Sequence, residues 1–263
     1  MNNLTVLIIT YNEDPNIHRV LEKLRWAEKI VLLDSGSTDE TLSIAGTFSN
    51  VEVVYRKFDS FAEQCNFGLS LIKTEWVLSL DADYVLTEPL IAEIKHAVTD
   101  TTVDAWNVCF RFCVYGYPLR SDNTTPRPIL FRTLKGNYYN DGHAHRLAVQ
   151  GKESNFKNKI LHDDRKDLSR WFKNQDSYAL KECQKLIQKP YEELRPIDKI
   201  RKLKWIAPFM VFFYSLFIKG LILDGWHGWY YTLQRTMVEI MFTLRLIEAE
   251  KINKQAKEYA KTK

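Results

Sequence analysis

The chain has 263 residues, of which 45% are hydrophobic and 13% aromatic, a composition that excludes a disordered protein and is sufficient for one α/β domain with an appendage. The formal net charge of +4 is too small to indicate nucleic acid, so we expect no nucleic-acid partner. From Pro190 onward 13 Lys and Arg residues stand against 8 Asp and Glu residues, which places the basic excess in the C-terminal part.

Strands and helices alternate through the first 80 residues. Apolar runs predict strands at residues 6–9, 30–33, 51–55 and 76–80. Helical periodicity covers residues 17–26 and 61–72, and Ser37 with Glu40 has the capping-box spacing that opens a helix. Strand–helix units of this length indicate a mostly parallel sheet with helices on both faces and right-handed crossovers.

The pattern changes in the second half. Residues 91–98 are predicted to be helical and residues 105–115 to form a long strand, which indicates a mixed or antiparallel arrangement. Two prolines predict a loop at residues 123–128. Residues 137–145 are rich in Gly, Asn and Asp and predict an active-site flap or turn, and residues 169–187 have helical periodicity.

Two carboxylates close the most apolar strand, as Asp81-Ala82-Asp83. Carboxylates at the end of a buried strand must be solvated, paired or bound to a metal. Residues two apart on an extended chain project the same way, about 6.5–7 Å apart. Hard oxygen ligands suit Mg²⁺ or Mn²⁺ carrying a phosphate, so the pattern predicts a metal-dependent enzyme acting on a nucleotide.

Three polar segments should meet at one edge of this sheet. Ligands of open parallel sheets bind beyond the carboxyl ends of the strands. The segments that follow the first, second and fourth predicted strands are residues 10–13, 34–36 and 81–83. We therefore expect them to converge from separate strand ends.

Taken together, these segments resemble glycosyltransferase family 2, the inverting nucleotide-sugar enzymes of the GT-A fold, and within it the lipopolysaccharide core β-glucosyltransferases. The matching residues lie at 10–13, 34–39, 76–83, 161–166 and 169–171. The resemblance implies a GT-A-like catalytic domain over residues 1–165, with a nucleotide-sugar half at 1–100 and an acceptor half at 101–165. Residues 166–263 are then a helical C-terminal region.

The resemblance also implies roles in nucleoside binding. Thr10, Tyr11 and Glu13 would line the nucleoside pocket, with the Tyr11 ring against the base. Asp34 would accept a hydrogen bond from the base, and Ser35 would bind the nucleotide beside it. Asp34 could instead only cap the turn or helix that follows it.

Asp81 and Asp83 would hold the ribose and the metal that bridges the diphosphate. A bound cation would act as a Lewis acid on the departing nucleoside diphosphate. Arg127, between two prolines, is the arginine that we favour for contact with a phosphate or an anionic acceptor. Tyr84 departs from many relatives, which have an acid after the second Asp.

Inversion needs a general base near the acceptor hydroxyl. Relatives commonly use an acid within a Glu-Asp pair, and Asn140-Asp141 stands at the corresponding place. We predict Asp141 as the base, with His143 as its orienting group or as a competing candidate. An ordinary Asn-Asp-Gly turn is the structural alternative.

Residues 205–223 are almost uninterruptedly apolar and just long enough to cross a bilayer of roughly 30 Å hydrocarbon thickness. Pro208, Lys219-Gly220 and the many aromatic residues argue against a simple span. Basic residues precede the segment, and residues 226–247 form a second amphipathic stretch with aromatic anchors. We predict monotopic attachment; a spanning or re-entrant segment, or a helix covering a core or a dimer contact, are the alternatives.

The resulting prediction is an inverting transferase that moves a hexose, glucose from a UDP-sugar, onto a lipid-linked saccharide such as the lipopolysaccharide core. A polyprenyl-phosphate acceptor is an alternative. A nucleotidyltransferase is disfavoured by the acidic, glycine-free segment after the first strand, and a non-catalytic membrane-surface scaffold by the intact acids. Four cysteines without CxxC spacing and no visible secretory leader favour a cytoplasmic protein, attached peripherally to the inner face of the cytoplasmic membrane.

Overall fold

The computed structural model of the chain describes residues 3–141 and 144–261. The chain divides into two compact units, Met1–Lys166 and Asp167–Lys263. In the part of the chain that the structure describes, every strand lies in the first unit, and the second unit is helical.

The first unit is built on a mixed sheet of nine strands, in the spatial order β3-β2-β1-β4-β7-β6-β11-β5, with β10 beside β6. A separate two-stranded sheet pairs β8 with β9. Strands β1 to β4 are mutually parallel where they pair, whereas β7 runs antiparallel to β4 and β6. The strands are β1 Leu4–Thr10, β2 Ile30–Asp34, β3 Val51–Tyr55, β4 Trp76–Asp81, β5 Tyr84–Val85, β6 Ala105–Val114, β7 Tyr117–Arg132, β8 Gly136–Asp141, β9 Ala144–Val149, β10 Glu153–Asn155 and β11 Ile160–His162.

Four helices pack on this sheet: α1 Asp14–Glu22, α2 Thr41–Ala45, α3 Phe61–Ser70 and α4 Glu88–Ala97. Alternate residues of the apolar strands face opposite sides, as the two-residue repeat of a strand requires. Val6 and Ile8 of β1 pack with residues of α1 and α4, whereas Leu7 packs with residues of α3. The predicted GT-A-like sheet with helices on both faces is therefore confirmed.

The predicted loop at residues 123–128 is wrong, because these residues belong to the 16-residue strand β7. The pairing of β6 with β7 changes register between Val108, which pairs with Arg127, and Phe110, which pairs with Asn123. A second change of register lies beside Pro128, the partner of Asn107. A proline cannot donate to a strand ladder and is tolerated where the ladder is interrupted. The bulges therefore accommodate both prolines within a strand.

Two other local predictions need correction. Helix α2 begins at Thr41, and Ser37 does not cap it; the Ser37 hydroxyl instead donates to Asp34 Oδ1 at 2.5 Å. Residues 137–141 and 144–145 are strand, because β8 and β9 pair antiparallel with Asp141 opposite Ala144, and residues 142–143 lie outside the described residues. Tyr138 is buried and the next residue, Tyr139, is exposed, which is the alternation of a strand with one face packed inward despite the polar composition.

The second unit consists of α5 Leu168–Gln188, α6 Pro196–Lys202, α7 Ile206–Phe213 and α8 Gly225–Lys261. The Asp167 side chain caps α5 by accepting a hydrogen bond from the backbone N–H of Arg170 at 2.8 Å. Helices α5 and α8 share a small buried core of Ala179, Cys183, Leu186, Leu194, Phe242 and Leu246.

The apolar segment at residues 205–223 is not one helix. It contains α7, a π-helical turn at Tyr214–Ile218, Gly220 with φ of +68°, and a 3₁₀ turn at Leu221–Asp224. Among the described residues, no single helix is both long and apolar enough to cross a bilayer. The segments Ile206–Ile218 and Leu221–Ile252 satisfy those two criteria of length and composition only as a pair, bent by 68°.

Candidate active site

The carboxyl ends of β1, β2 and β4 bring the predicted polar segments together. The parallel register pairs Thr10 with Asp34 and Ile9 with Asp81. Residues 10–13, 34–36 and 81–83 therefore follow neighbouring strands at the same edge of the sheet, which is where open parallel sheets bind ligands.

The segments after β1 and β2 are hydrogen-bonded to each other. The backbone N–H of Asn12 donates to Ser37 Oγ at 2.8 Å, and the Asn12 side chain accepts from the backbone N–H of Thr38 at 2.7 Å. The backbone N–H of Glu13 donates to Thr41 Oγ1 at 2.6 Å. Tyr11, in the same segment, is 52% exposed.

Asp34 is buried, and its carboxylate organises its own loop. Its Oδ2 atom accepts from the backbone N–H groups of Gly36 at 2.7 Å and Ser37 at 3.0 Å, and its Oδ1 atom accepts from the Ser37 hydroxyl. These hydrogen bonds are those expected if Asp34 caps the turn that follows it. A base that donates a hydrogen bond to Asp34 would have to share the same oxygens. Ser35 Oγ accepts from Gln64 Nε2 at 3.1 Å.

Asp81 and Asp83 do not lie on one extended strand, because β4 ends at Asp81 and the next two residues turn toward β5. The two carboxylates nevertheless act on the same neighbours. Burial raises the pKa of Tyr84 well above its usual value, and the charges of Asp81 and Asp83 raise it further. Tyr84 also hydrogen-bonds to Asp81, so this residue supports the first carboxylate.

Asp83 is buried with one oxygen paired and one unpaired. Its Oδ2 atom lies 3.0 Å from His162 Nε2, whereas its Oδ1 atom has no hydrogen-bond partner. Burial would raise the pKa of Asp83, but the nearby His162 and Lys166 outweigh it and lower the pKa. Asp83 therefore stays charged, and an unsatisfied carboxylate oxygen is a position that a cation fits.

Three of the five buried side-chain polar atoms without a partner in the described part of the chain belong to this region: Asp83 Oδ1, Thr10 Oγ1 and Arg19 Nε. Arg19 joins the region through Asp163, whose backbone N–H donates to the Asp83 carbonyl oxygen at 3.2 Å. A buried polar atom without a partner costs about 1–3 kcal/mol. Most of the unpartnered buried polar atoms in the described residues therefore belong to the elements that meet at this edge of the sheet.

The block 161–166, which is part of the predicted family resemblance, supplies further side chains to this region. His162 contacts Asp83, and Asp163 is buried between Arg19, 2.7 Å away, and Arg165, 2.9 Å away. The Asp163 Oδ1 atom also accepts from the backbone N–H of Gly116 at 3.1 Å. The sequence signal is the charged run at residues 163–167, which follows Ile160, Leu161 and His162. Only the insertion of β11 between β6 and β5 brings that run to the site.

Asn16, fully buried in α1, links the same segment to Glu13. Its Nδ2 atom donates to Glu13 Oε2 at 2.8 Å and to Asp164 Oδ1 at 3.2 Å, and Lys166 Nζ lies 2.8 Å from Glu13. Burial raises the pKa of Glu13 to about 7, against the opposing charge of Lys166. The Glu13 carboxylate is therefore held inward by the network and does not project as an isolated pocket residue.

Arg127 is one of the predicted site residues in the second half of the fold, and it lies on β7. The Arg127 guanidinium is 6.0 Å from the centre of the Phe110 ring, which in turn lies 4.9 Å from the Tyr84 ring. The Arg127 charge also lowers the pKa of Tyr84, which places this arginine near Tyr84. The contact of Arg127 with a phosphate or an anionic acceptor stays a prediction.

The predicted base lies at the end of the β8–β9 hairpin. Asp141 Oδ2 accepts from Arg146 Nε at 2.6 Å, and His143 lies outside the described residues. The hairpin is anchored to the main sheet by the Tyr138 hydroxyl, which donates to Ser79 Oγ at 2.8 Å, two residues before Asp81. Asp141 thus belongs to an element that is fixed against β4.

The donor set is compatible with a hydrated divalent cation, although it is not a complete protein cage. Within the described ranges, no group of three or more His, Cys, Asp and Glu side chains is arranged to hold a metal ion. Mg²⁺ and similar ions usually bind through one or two carboxylates, with water and substrate phosphates completing the shell. Asp81 and Asp83, with the unpartnered Asp83 Oδ1 atom, fit that pattern.

Residues 5–150 match the model of glycosyl transferase family 2. The lipopolysaccharide core biosynthesis glycosyltransferase LpsC of Rhizobium meliloti (strain 1021) is 29% identical over 143 residues, which cover 51% of this chain and 53% of LpsC. The uncharacterized glycosyltransferase RP128 of Rickettsia prowazekii (strain Madrid E) is 30% identical over 107 residues, which cover 40% of this chain and 36% of that relative. The chain thus spans only about a third to a half of these relatives' lengths.

Among solved structures, the mannosyltransferase PcManGT from Pyrobaculum calidifontis, in complex with GDP-Man and Mn²⁺, has a TM-score of 0.50. It is 16% identical, and the match covers 93% of this chain and 86% of PcManGT. At that identity the likeness shows a shared fold. The family match confirms the resemblance that the sequence motifs predicted.

Proposed function

Because this chain belongs to glycosyl transferase family 2, we propose that it is a metal-dependent, inverting hexosyltransferase that transfers glucose from UDP-glucose to a lipid-linked saccharide of the lipopolysaccharide-core type. The observation that carries the proposal is the buried, charged Asp83, whose Oδ1 atom has no partner, beside Asp81 at the edge where three strand ends meet. The relation to LpsC supports the choice of acceptor.

The donor nucleotide is assigned to the residues after β1 and β2. The exposed Tyr11 ring offers a face to the base, and the unpartnered Thr10 hydroxyl offers a hydrogen bond. Asp81 and Asp83 would hold the cation, which would neutralise charge on the departing nucleoside diphosphate. Arg127 adds a positive charge near Tyr84, which hydrogen-bonds to Asp81.

The transfer is a single displacement. The Asp141 carboxylate takes the proton of the acceptor hydroxyl, whose oxygen attacks the anomeric carbon from the face opposite the diphosphate. The new C–O bond forms as the bond from the anomeric carbon to the phosphate oxygen breaks, so the anomeric configuration inverts. The nucleoside diphosphate leaves with the electron pair of the broken bond.

The test is incubation of bacterial membranes with the purified protein and a panel of radiolabelled nucleotide sugars, with Asp83→Ala as the inactive control. We expect label from UDP-glucose to enter a lipid-linked saccharide, and the new bond to be β when the product is analysed by NMR. Transfer of another sugar would correct the donor, and an acid-labile polyprenyl-linked product would correct the acceptor. Label that enters equally with Asp83→Ala would contradict the site.

A further inference from the structure

The second unit exposes a continuous set of large apolar side chains along α7, the turns that follow it and the first half of α8. The most exposed are Ile218 at 76%, Trp205 and Phe209 at 68%, and Leu223 at 66%. The others recur at helical spacing, at Ile206, Met210, Phe213, Tyr214, Phe217, Ile222, Trp226, Trp229, Leu233, Met237, Ile240 and Leu244. Together these sixteen residues are called the apolar face.

The interior of the same segment is built largely from small and polar residues. Ala207, Ser215, Thr232 and Glu239 are buried, and Gly228 packs so closely that an added Cβ atom would lie 1.8 Å from the Leu221 carbonyl oxygen. Small residues between helices and large apolar residues outside them are the arrangement of helices that lie in lipid. A helix packed on a soluble core has the opposite distribution.

The charged residues around the apolar face indicate which kind of partner it binds. Residues 199–247 contain only two acids, Asp224 and Glu239, and both are buried. Glu239 is neutralised by Arg201, whose Nη2 atom lies 2.6 Å from Glu239 Oε1. Within residues 199–247 the exterior therefore has no carboxylate, whereas Lys199, Lys202, Lys219 and Arg235 lie along it. Lys204 and Arg245 also lie there but are paired with Glu250 and Asp176, outside this range.

Aromatic residues and lysines have the positions that a membrane interface favours. Lys219 Nζ lies 5.7 Å from the centre of the Tyr214 ring, and Lys199 Nζ lies 5.2 Å from the centre of the Tyr191 ring. Tryptophan and tyrosine prefer the headgroup level, where lysine can reach anionic phosphates. Trp205 and Trp226 lie at the two sides of the bent apolar segment.

We propose that the apolar face is a monotopic insertion surface that enters one leaflet of a membrane containing anionic phospholipid. The 68° bend between the two apolar segments favours a pair lying within a leaflet over a straight crossing. The absence of external carboxylates favours an anionic lipid surface over a second copy of the chain, whose basic rim would repel this one. The inference stands on the second unit alone and does not depend on the proposed transfer reaction.

The experiment is vesicle flotation with the full chain, using phosphatidylcholine vesicles with and without phosphatidylglycerol. Phe209→Glu and Phe217→Glu place a charge in the apolar face, and Leu134→Glu, at a residue 99% exposed in the first unit, is the matched control. We expect the wild type to float with the anionic vesicles. Each Phe variant should bind about tenfold more weakly or worse, because burial of one Phe is worth about 1.5–3 kcal/mol, and the control should bind as the wild type does.

Circular dichroism establishes that each variant is folded, and sedimentation velocity without lipid gives its oligomeric state. Failure of the folded wild type to bind anionic vesicles would overturn the proposal. So would equal binding by both Phe variants, or a lipid-free dimer that Phe209→Glu dissociates. Donor binding measured on the same variants should be unchanged, which separates this surface from the transferase site.

Discussion

At the scale of single residues, the candidate site holds most of the buried polar atoms that lack a hydrogen-bond partner in the described part of the chain. Asp83 Oδ1, Thr10 Oγ1 and Arg19 Nε are buried without a partner, whereas Asn16 beside them bonds with all its side-chain polar atoms. An unsatisfied buried group lowers stability by about 1–3 kcal/mol. A stability cost accepted at one sheet edge is best explained by a ligand that removes it.

Replacement of Thr10 by Val tests this explanation. The change removes a buried hydroxyl that has no partner, and it keeps the shape of the side chain. We expect the free protein to be equally stable or up to about 1 kcal/mol more stable, and UDP to bind more weakly. Thermal unfolding and calorimetric titration measure the two effects. A destabilised variant with unchanged UDP affinity would show that the hydroxyl has only a structural role.

Glu13 gives a pH-dependent prediction. Its pKa is raised by burial from 4.5 to about 7, so the folded chain binds more protons than the unfolded chain between these values. The stability contributed by this proton is present at low pH and is lost as pH rises from about 4.5 through about 7. The Glu13→Gln variant cannot titrate here, so its free energy of unfolding should fall less steeply over this range.

Urea unfolding of Glu13→Gln and of the wild type at a series of pH values measures that difference. Other carboxylates titrate alike in both proteins, so subtraction isolates Glu13. Parallel stability curves for the two proteins from pH 4.5 to pH 7 would refute the raised pKa of Glu13.

At the scale of elements, the segment after β11 is tied to α1 by buried charge. Asp163 pairs with Arg19 and Arg165 and receives the Gly116 backbone N–H, and its side chain is only 5% exposed. Removal of one member of a buried ion pair typically costs about 3–5 kcal/mol, because the partner charge is left uncompensated. The pair holds His162 next to Asp83, so it also positions the site.

Asp163→Asn should therefore destabilise the chain by about 3 kcal/mol, since two guanidinium groups lose their shared carboxylate. Glu88→Gln, which breaks an exposed pair with Lys23, is the matched control and should leave stability almost unchanged. Chemical denaturation compares the two. Equal small losses in both variants would show that the Asp163 network is not a stabilising connection.

Elements with strong periodicity are predictable from the sequence, and those that depend on distant pairing are not. The apolar runs of β1, β2 and β4 and the periodicity of α5 specify their own conformation. The two prolines of β7 predict a loop until its bulged pairing with β6 is known. Likewise, nothing near residues 160–162 indicates a strand inserted between β5 and β6.

The contacts of the candidate site likewise fall into those that the sequence pattern predicts and those that it does not. Thr10, Asp34 and Asp81 follow apolar strands, so their meeting at one edge follows from parallel order. The pairing of His162 with Asp83 depends on a contact across 79 residues, which no local pattern encodes. Both Asp34 carboxylate oxygens also accept hydrogen bonds from its own loop, and these bonds depend on a backbone conformation that the sequence pattern does not specify.

At the scale of the whole molecule, two units with different surfaces are joined in one chain. The first unit presents charged and hydrogen-bonding groups at a sheet edge, and the second presents the apolar face. A transferase acting on a lipid-linked acceptor needs both a polar donor site and access to lipid. The proposed sugar transfer begins with a bound nucleotide, so the donor site is its first requirement.

Calorimetric titration of UDP, with and without Mn²⁺, tests that site most directly. Asp83→Ala is compared with Asp100→Ala, a control near the opposite edge of the sheet, where the Asp100 carbonyl oxygen accepts from Arg132. We expect UDP to bind the wild type and the control only with Mn²⁺, and Asp83→Ala to lose at least about tenfold in affinity, or 1.4 kcal/mol. An unchanged isotherm for folded Asp83→Ala, or wild-type binding that ignores Mn²⁺, would contradict the account.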